Sequence, residues 1–150
     1  MYKPLIGRCL FTINAVGLAA GGFVADMNAT HMYNPRWSPH AKFHDGETIA
    51  FGVLLSFASL FFTWRRGGDR RTNVLAAAIS GGVLYWAQAA ANAFPGVAWT
   101  DPEFLKTGES LTEFAPQLYI DIGMSLVVIF TAWLAWPRMA EAAVPIIQHH

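Results

Sequence analysis

"TIAFGVLLSFASLFFTWRRGGDRRTNVLAAAISGGVLYW", residues 48–86, decides the architecture. Two apolar runs flank a seven-residue segment, 65–71, that holds four arginines and one aspartate. Each run approaches the roughly 20 residues an α-helix needs to cross a hydrocarbon layer about 30 Å thick. A polar connection this short returns the chain antiparallel. Working outward, the pattern recurs, giving spans at about 5–26, 47–64, 72–94 and 116–136. None of the four offers the polar face that a helix on a soluble bundle requires. The expected fold is all-α, a four-helix transmembrane bundle forming one integral membrane domain over residues 1–150.

Composition agrees. The chain is 54% hydrophobic and 13% charged, against roughly 25% charged in soluble domains. Zero net charge gives no reason to expect nucleic acid as a partner. A single cysteine, Cys9, excludes an internal disulfide. Residues 1–25 have the make-up of a signal peptide, with Lys3 and Arg8 ahead of an apolar core; we expect them to be retained as the first span. The terminal His149 and His150 are assigned to no site.

Lysine and arginine set the expected orientation. Lys3, Arg8, the quartet Arg65, Arg66, Arg70 and Arg71, and Arg138 fall on one side of a four-span topology. The other side carries Arg36 and Lys42, and a long loop with Asp101, Glu103, Glu109 and Glu113 against Lys106. Both termini are therefore expected in the cytoplasm, with two long loops outside and a bacterial inner membrane as the location. Trp37 and Trp99 suit one interfacial belt and Trp64 and Trp136 the other.

Lipid gives little hydrophobic drive between helices, so small residues must let backbones approach. Gly17 and Gly21 on span 1, with Asn14 and Ala25 near the same stripe, and the Ala/Gly-rich span 3 predict a close pair. Polar groups inside the spans point to function, because each needs a partner away from lipid. Tyr85, Gln88 and Asn92 share one face of span 3; Asp121 and Ser125 share one of span 4.

The scarce ionisable groups crowd into "THMYNPRWSPHAKFHDGET", residues 30–48. Ser38 is a natural N-cap and Pro39 a natural first helical residue. A helix from Pro39 puts His40, His44 and Glu47 at i, i+4, i+7 on one stripe, continued by Phe51 and Leu54; Gly46 is the position where that alignment would break. Two imidazoles and a carboxylate so spaced are the donor set for a transition metal. Equally, His44 with Glu47 or Asp121 makes a metal-free acid/base pair. The plainer reading is that these groups cap the helix, meet lipid headgroups and tie the loop down. Because His40, His44, Glu47, Asn92 and Asp121 all belong at one membrane level, we expect them at the mouth of a pocket between helices.

The stretch 30–48, with the later "FPG" and "DPE", resembles an uncharacterised family of small bacterial four-helix membrane proteins whose members are sometimes labelled acetyltransferase. No acetyl-CoA motif is visible in this chain. More distantly, the layout is similar to the emopamil-binding and sigma-2 receptor superfamily, whose members bind or isomerise sterols. That resemblance implies that acidic residues and a histidine meet a lipophilic amine or carbocation, parts that His44, Glu47 and Asp121 would play.

The functional expectation is a binder of a lipophilic molecule, sterol-like, isoprenoid or quinone, with acid/base isomerase-type chemistry as an extension. His44, Glu47 and Asp121 are the candidate catalytic residues. His31, Trp37, His40, Tyr85, Gln88 and Asn92 are the candidate ligand-binding residues. No organic cofactor is expected; a metal at His40, His44 and Glu47 is a further reading. An accessory subunit of a larger membrane complex, or a homo-oligomer, is the alternative, resting on the aromatic surfaces of spans 2 and 4, Phe57, Phe61, Phe62, Phe130 and Trp133.

Overall fold

Four long helices carry the fold in the computed structural model, which describes residues 3–108 and 116–137. They are α1 (Lys3–Asp26), α2 (Pro39–Trp64), α3 (Arg70–Ala91) and α4 (Pro116–Ala135). A short 3₁₀ turn, Pro102–Phe104, interrupts the α3–α4 connection. All four helices are long and apolar enough to cross a membrane. Even the shortest, α4 with 20 residues, reaches about 30 Å at 1.5 Å per residue, the thickness of a hydrocarbon core. Glu109, Glu113, Arg138, His149 and His150 lie outside the described residues.

Local chemistry fixes the ends. Ser38 caps α2, its Oγ accepting from Ala41 N at 3.1 Å, and Pro39 opens the helix. Gly46 does not interrupt it, so α2 begins about two turns before the expected span. At the opposite end Asp69 caps α3, accepting from Thr72 N at 2.7 Å and Thr72 Oγ1 at 2.8 Å. These bonds, led by the backbone one, hold the Asp69 carboxyl below the usual aspartate range. Gly68 takes a φ of +80° in the arginine turn, a conformation costly for any residue with a Cβ.

The helices form a ring. Each packs on its chain neighbour and α4 closes against α1; α1 and α3 touch across the diagonal, whereas α2 and α4 do not. A dry cluster of Phe11, Val74, Ala77, Ala78, Val128 and Ala135 fills the half toward the arginine turn. The close contacts are not where the G-x-x-x-G spacing placed them. A methyl added at Gly17 or Gly21 would meet nothing within 4 Å; these glycines face away from the bundle. Backbone approach occurs instead at Gly7, where an added methyl would come within 2.8 Å of Ala135, and at Gly81, within 2.9 Å of Asn14 Nδ2. Span 1 therefore pairs mainly with α2 and α4, and meets α3 less, through Asn14 and through the cluster that holds Phe11, Val74 and Ala77.

Candidate functional site

The two long loops meet at one end of the bundle, which we call the loop end. Asn34, buried at 1% exposure, joins them. Its Nδ2 donates to Glu103 Oε1 at 3.2 Å, and its Oδ1 accepts from Arg36 N at 2.9 Å. The Arg36 guanidinium meets Glu103 Oε2 at 3.2 Å. Trp37 Nε1 donates to Asp101 Oδ2 at 3.0 Å. The 3₁₀ turn that starts at Pro102 presents both carboxylates. The Asn34 amide first, and the Arg36 charge after it, hold the Glu103 carboxyl below its usual range.

Under this clasp lies a pocket of about 490 Å³, within the roughly 300–1,000 Å³ typical of small-molecule sites. Four residues singled out from the sequence line it: His31, Trp37, Gln88 and Asn92. Trp99, Asp101 and Gln117 line it too, and no local pattern singles out the last two. His31 is fixed from three sides: Thr30 Oγ1 lies 2.7 Å from Nδ1, Asp26 Oδ1 3.8 Å from Nε2, and the Trp37 ring packs edge-on at 5.3 Å.

Polar groups continue below the pocket into the bundle. One turn deeper than Gln88 on α3 is Tyr85; one turn deeper than Gln117 on α4 is Asp121. Tyr85 is 9% exposed and Asp121 only 2%. Tyr85 lies within electrostatic reach of Asp121, and its hydroxyl is 3.5 Å from Asn14 Oδ1. Asn14 Nδ2 in turn donates to Gly81 O at 3.0 Å, bridging α1 and α3. Asp121 Oδ2 has no hydrogen-bond partner among the described residues. A buried carboxylate oxygen without a partner is costly in a protein interior, and more so between membrane-spanning helices.

His40, His44 and Glu47 do form the expected stripe, but it faces away from the bundle. His40 Nε2 is 3.1 Å from His44 Nε2, and His44 Nδ1 is 3.1 Å from Glu47 Oε2. One tautomer satisfies the file: a neutral His44 donates from Nδ1 to the carboxylate and accepts at Nε2 from His40. The His44 and Glu47 side chains are 58% and 45% exposed, and Phe51 and Leu54 below them are exposed as well. None of the three lines the pocket, and none bonds to Asp121. The donors run in a file rather than converging, and among the described residues no group of three or more His, Cys, Asp or Glu side chains is arranged to hold a metal ion. The sequence established the spacing but not the direction of the stripe.

No curated protein and no solved structure matches this chain. A family model covers residues 10–127, which include every residue that lines the pocket and both sides of the clasp. The chain belongs to that family, DUF6640, a family of unknown function.

Proposed function

We propose that this membrane protein binds a lipophilic small molecule at the loop end, with its polar group toward Tyr85 and Asp121 and its apolar part under the loop clasp. The observation that carries this reading is Asp121: a buried carboxylate with an oxygen that has no partner among the described residues, one helical turn beneath Gln117 in the pocket wall. A ligand hydroxyl or protonated amine would supply the missing donor. Gln88, Asn92 and His31 offer further polar contacts, and Trp37, Trp99 and Phe104 an apolar enclosure. By the arginine count, this end faces away from the cytoplasm.

Isomerase-type chemistry on this ligand would fall to His31 and Asp121, because His44 and Glu47 stand on the outward face of α2. Binding is the function proposed here.

The test is lipid analysis of protein extracted in mild detergent. The wild-type chain should carry a lipophilic species that a Gln88→Leu, Asn92→Leu variant lacks. A His44→Ala, Glu47→Ala variant should retain it. The same lipid profile from all three proteins would refute the assignment.

The accessory-subunit alternative draws on Phe57, Phe61, Phe130 and Trp133, all more than half exposed. Lipid covers such faces equally well, so they favour neither reading.

A further inference from the structure

A second pocket lies at the opposite end, among the arginines. It is smaller, about 100 Å³, and all four helices or their ends contribute to it. Arg8 comes from α1, Arg65 and Arg66 from the residues after α2, and Arg70 from the first position of α3. Among the described residues, no acidic residue lines it. The one acid of the connecting turn, Asp69, is committed to capping α3 through Thr72.

Two features make this more than a basic surface. The first is how the guanidinium groups are held. Arg8 stands over the Trp64 ring at 5.8 Å and Arg65 over the Phe61 ring at 5.7 Å. A ring contact engages the face of a guanidinium and leaves its in-plane N–H donors for another acceptor. Among the described residues, Arg8, Arg65 and Arg66 form no ion pair. The second is Thr63 in the pocket wall, 6% exposed. Its Oγ1 is buried and has no hydrogen-bond partner among the described residues. A buried hydroxyl beside clustered guanidinium groups is a donor for an anion.

We propose that this pocket binds the terminal phosphate, a phosphomonoester, of an anionic molecule, held by Arg8, Arg65 and Arg66 with Thr63 beneath. Arginine is suited to phosphate because its planar fork makes paired, charge-assisted hydrogen bonds to two oxygens. Volume restricts the occupant. Sites for drug-sized ligands run to roughly 300 Å³ and above, so a pocket of about 100 Å³ takes a phosphate and leaves whatever is attached to it outside. Trp64, beside Arg8, puts the pocket at the level of a membrane interface, where a phospholipid headgroup lies. The chemistry is the same for a soluble phosphate, so the test separates the two. The Asp121 pocket is at the other end of the bundle, and this proposal does not depend on it.

The experiment uses the full chain in nanodiscs of phosphatidylcholine, with phosphatidic acid, phosphatidylserine or inorganic phosphate added in turn. Native mass spectrometry counts retained molecules, and Trp64→Phe identifies the fluorescence change that reports on the Arg8 contact. One phosphatidic acid should stay bound at collision energies that strip phosphatidylcholine and phosphatidylserine. An Arg65→Gln, Arg66→Gln variant should bind it about tenfold or more weakly, as expected for losing charge-assisted bonds. Thr63→Val should weaken it less, and Arg36→Gln, at the loop end, not at all. Displacement by millimolar inorganic phosphate would support the site and assign it to a soluble phosphate; resistance would assign it to the headgroup. Equal retention of phosphatidylserine, or unchanged binding by the double variant with its helicity intact, would overturn the proposal.

Discussion

The indole Nε1 of Trp37 donates to Asp101 Oδ2 at 3.0 Å, joining residues 64 positions apart in the chain. With the Asn34–Glu103 bond beside it, this contact turns two separate loops into one roof over the pocket. Trp37→Phe keeps the ring and removes the donor. It should cost about 0.5–1.5 kcal/mol, the net worth of one hydrogen bond. Asn34→Ala should cost about 1–3 kcal/mol, because it strands partners of a buried amide. Hydrogen exchange should rise at residues 98–105 in both variants and stay unchanged in α1.

The roof should respond to acid. Contacts in the folded state hold the Glu103 carboxyl below the ordinary glutamate value of 4.5. A group with a lowered folded pKa contributes stability that is fully present above its unfolded value and disappears as pH falls through the folded one. The Glu103 contribution to the roof should therefore be unchanged from pH 7 to about 5 and be lost below the ordinary glutamate range. Exchange rates at residues 98–105 between pH 7 and pH 3 give the check, with the intrinsic pH dependence subtracted. Glu103→Gln should remove that transition; a transition of the same size in the variant would assign it to another group.

Helix packing gives a sharp contrast between glycines. Gly81→Ala places a methyl within 2.9 Å of Asn14 Nδ2 and 3.2 Å of Ser59 Oγ. It should destabilise the bundle by about 1–3 kcal/mol through overpacking. Gly17→Ala meets nothing and should be neutral or slightly stabilising. Asn14→Leu, which removes the α1–α3 bridge, should cost about 0.5–2 kcal/mol, the range for polar contacts between membrane helices. Unfolding in mixed micelles ranks the three; an equal loss in Gly17→Ala and Gly81→Ala would contradict this packing.

How much was legible in the sequence follows from the physics of each feature. The four spans stood out because runs of apolar residues near 20 have few other uses. Ser38–Pro39 announced the start of α2 because capping is local chemistry. The clasp was hidden, since nothing local ties Asn34 to Glu103, 69 positions away. The outward turn of His40, His44 and Glu47 was hidden for a different reason. In a membrane protein both the packed face and the lipid face are apolar, so periodicity says which residues share a stripe but not where it points. Gly17 and Gly21 misled in the same way. Asp121 was conspicuous because an acid inside an apolar span has few structural uses.

Asp121 should show a trade between stability and binding. Asp121→Asn keeps the shape and removes the buried acid. The ligand-free variant should be more stable than ligand-free wild type, by about 1–3 kcal/mol if the unpartnered oxygen is the main strain. Thermal unfolding of delipidated proteins tests this; a less stable variant would mean that Asp121 holds the bundle together instead.

The most direct test of the account is native mass spectrometry of the intact chain released from several mild detergents. The account predicts a single lipophilic adduct on the wild-type protein, kept by His44→Ala, Glu47→Ala and lost by Asp121→Asn. Bare wild-type protein from every detergent, or an adduct that Asp121→Asn retains in full, would contradict it.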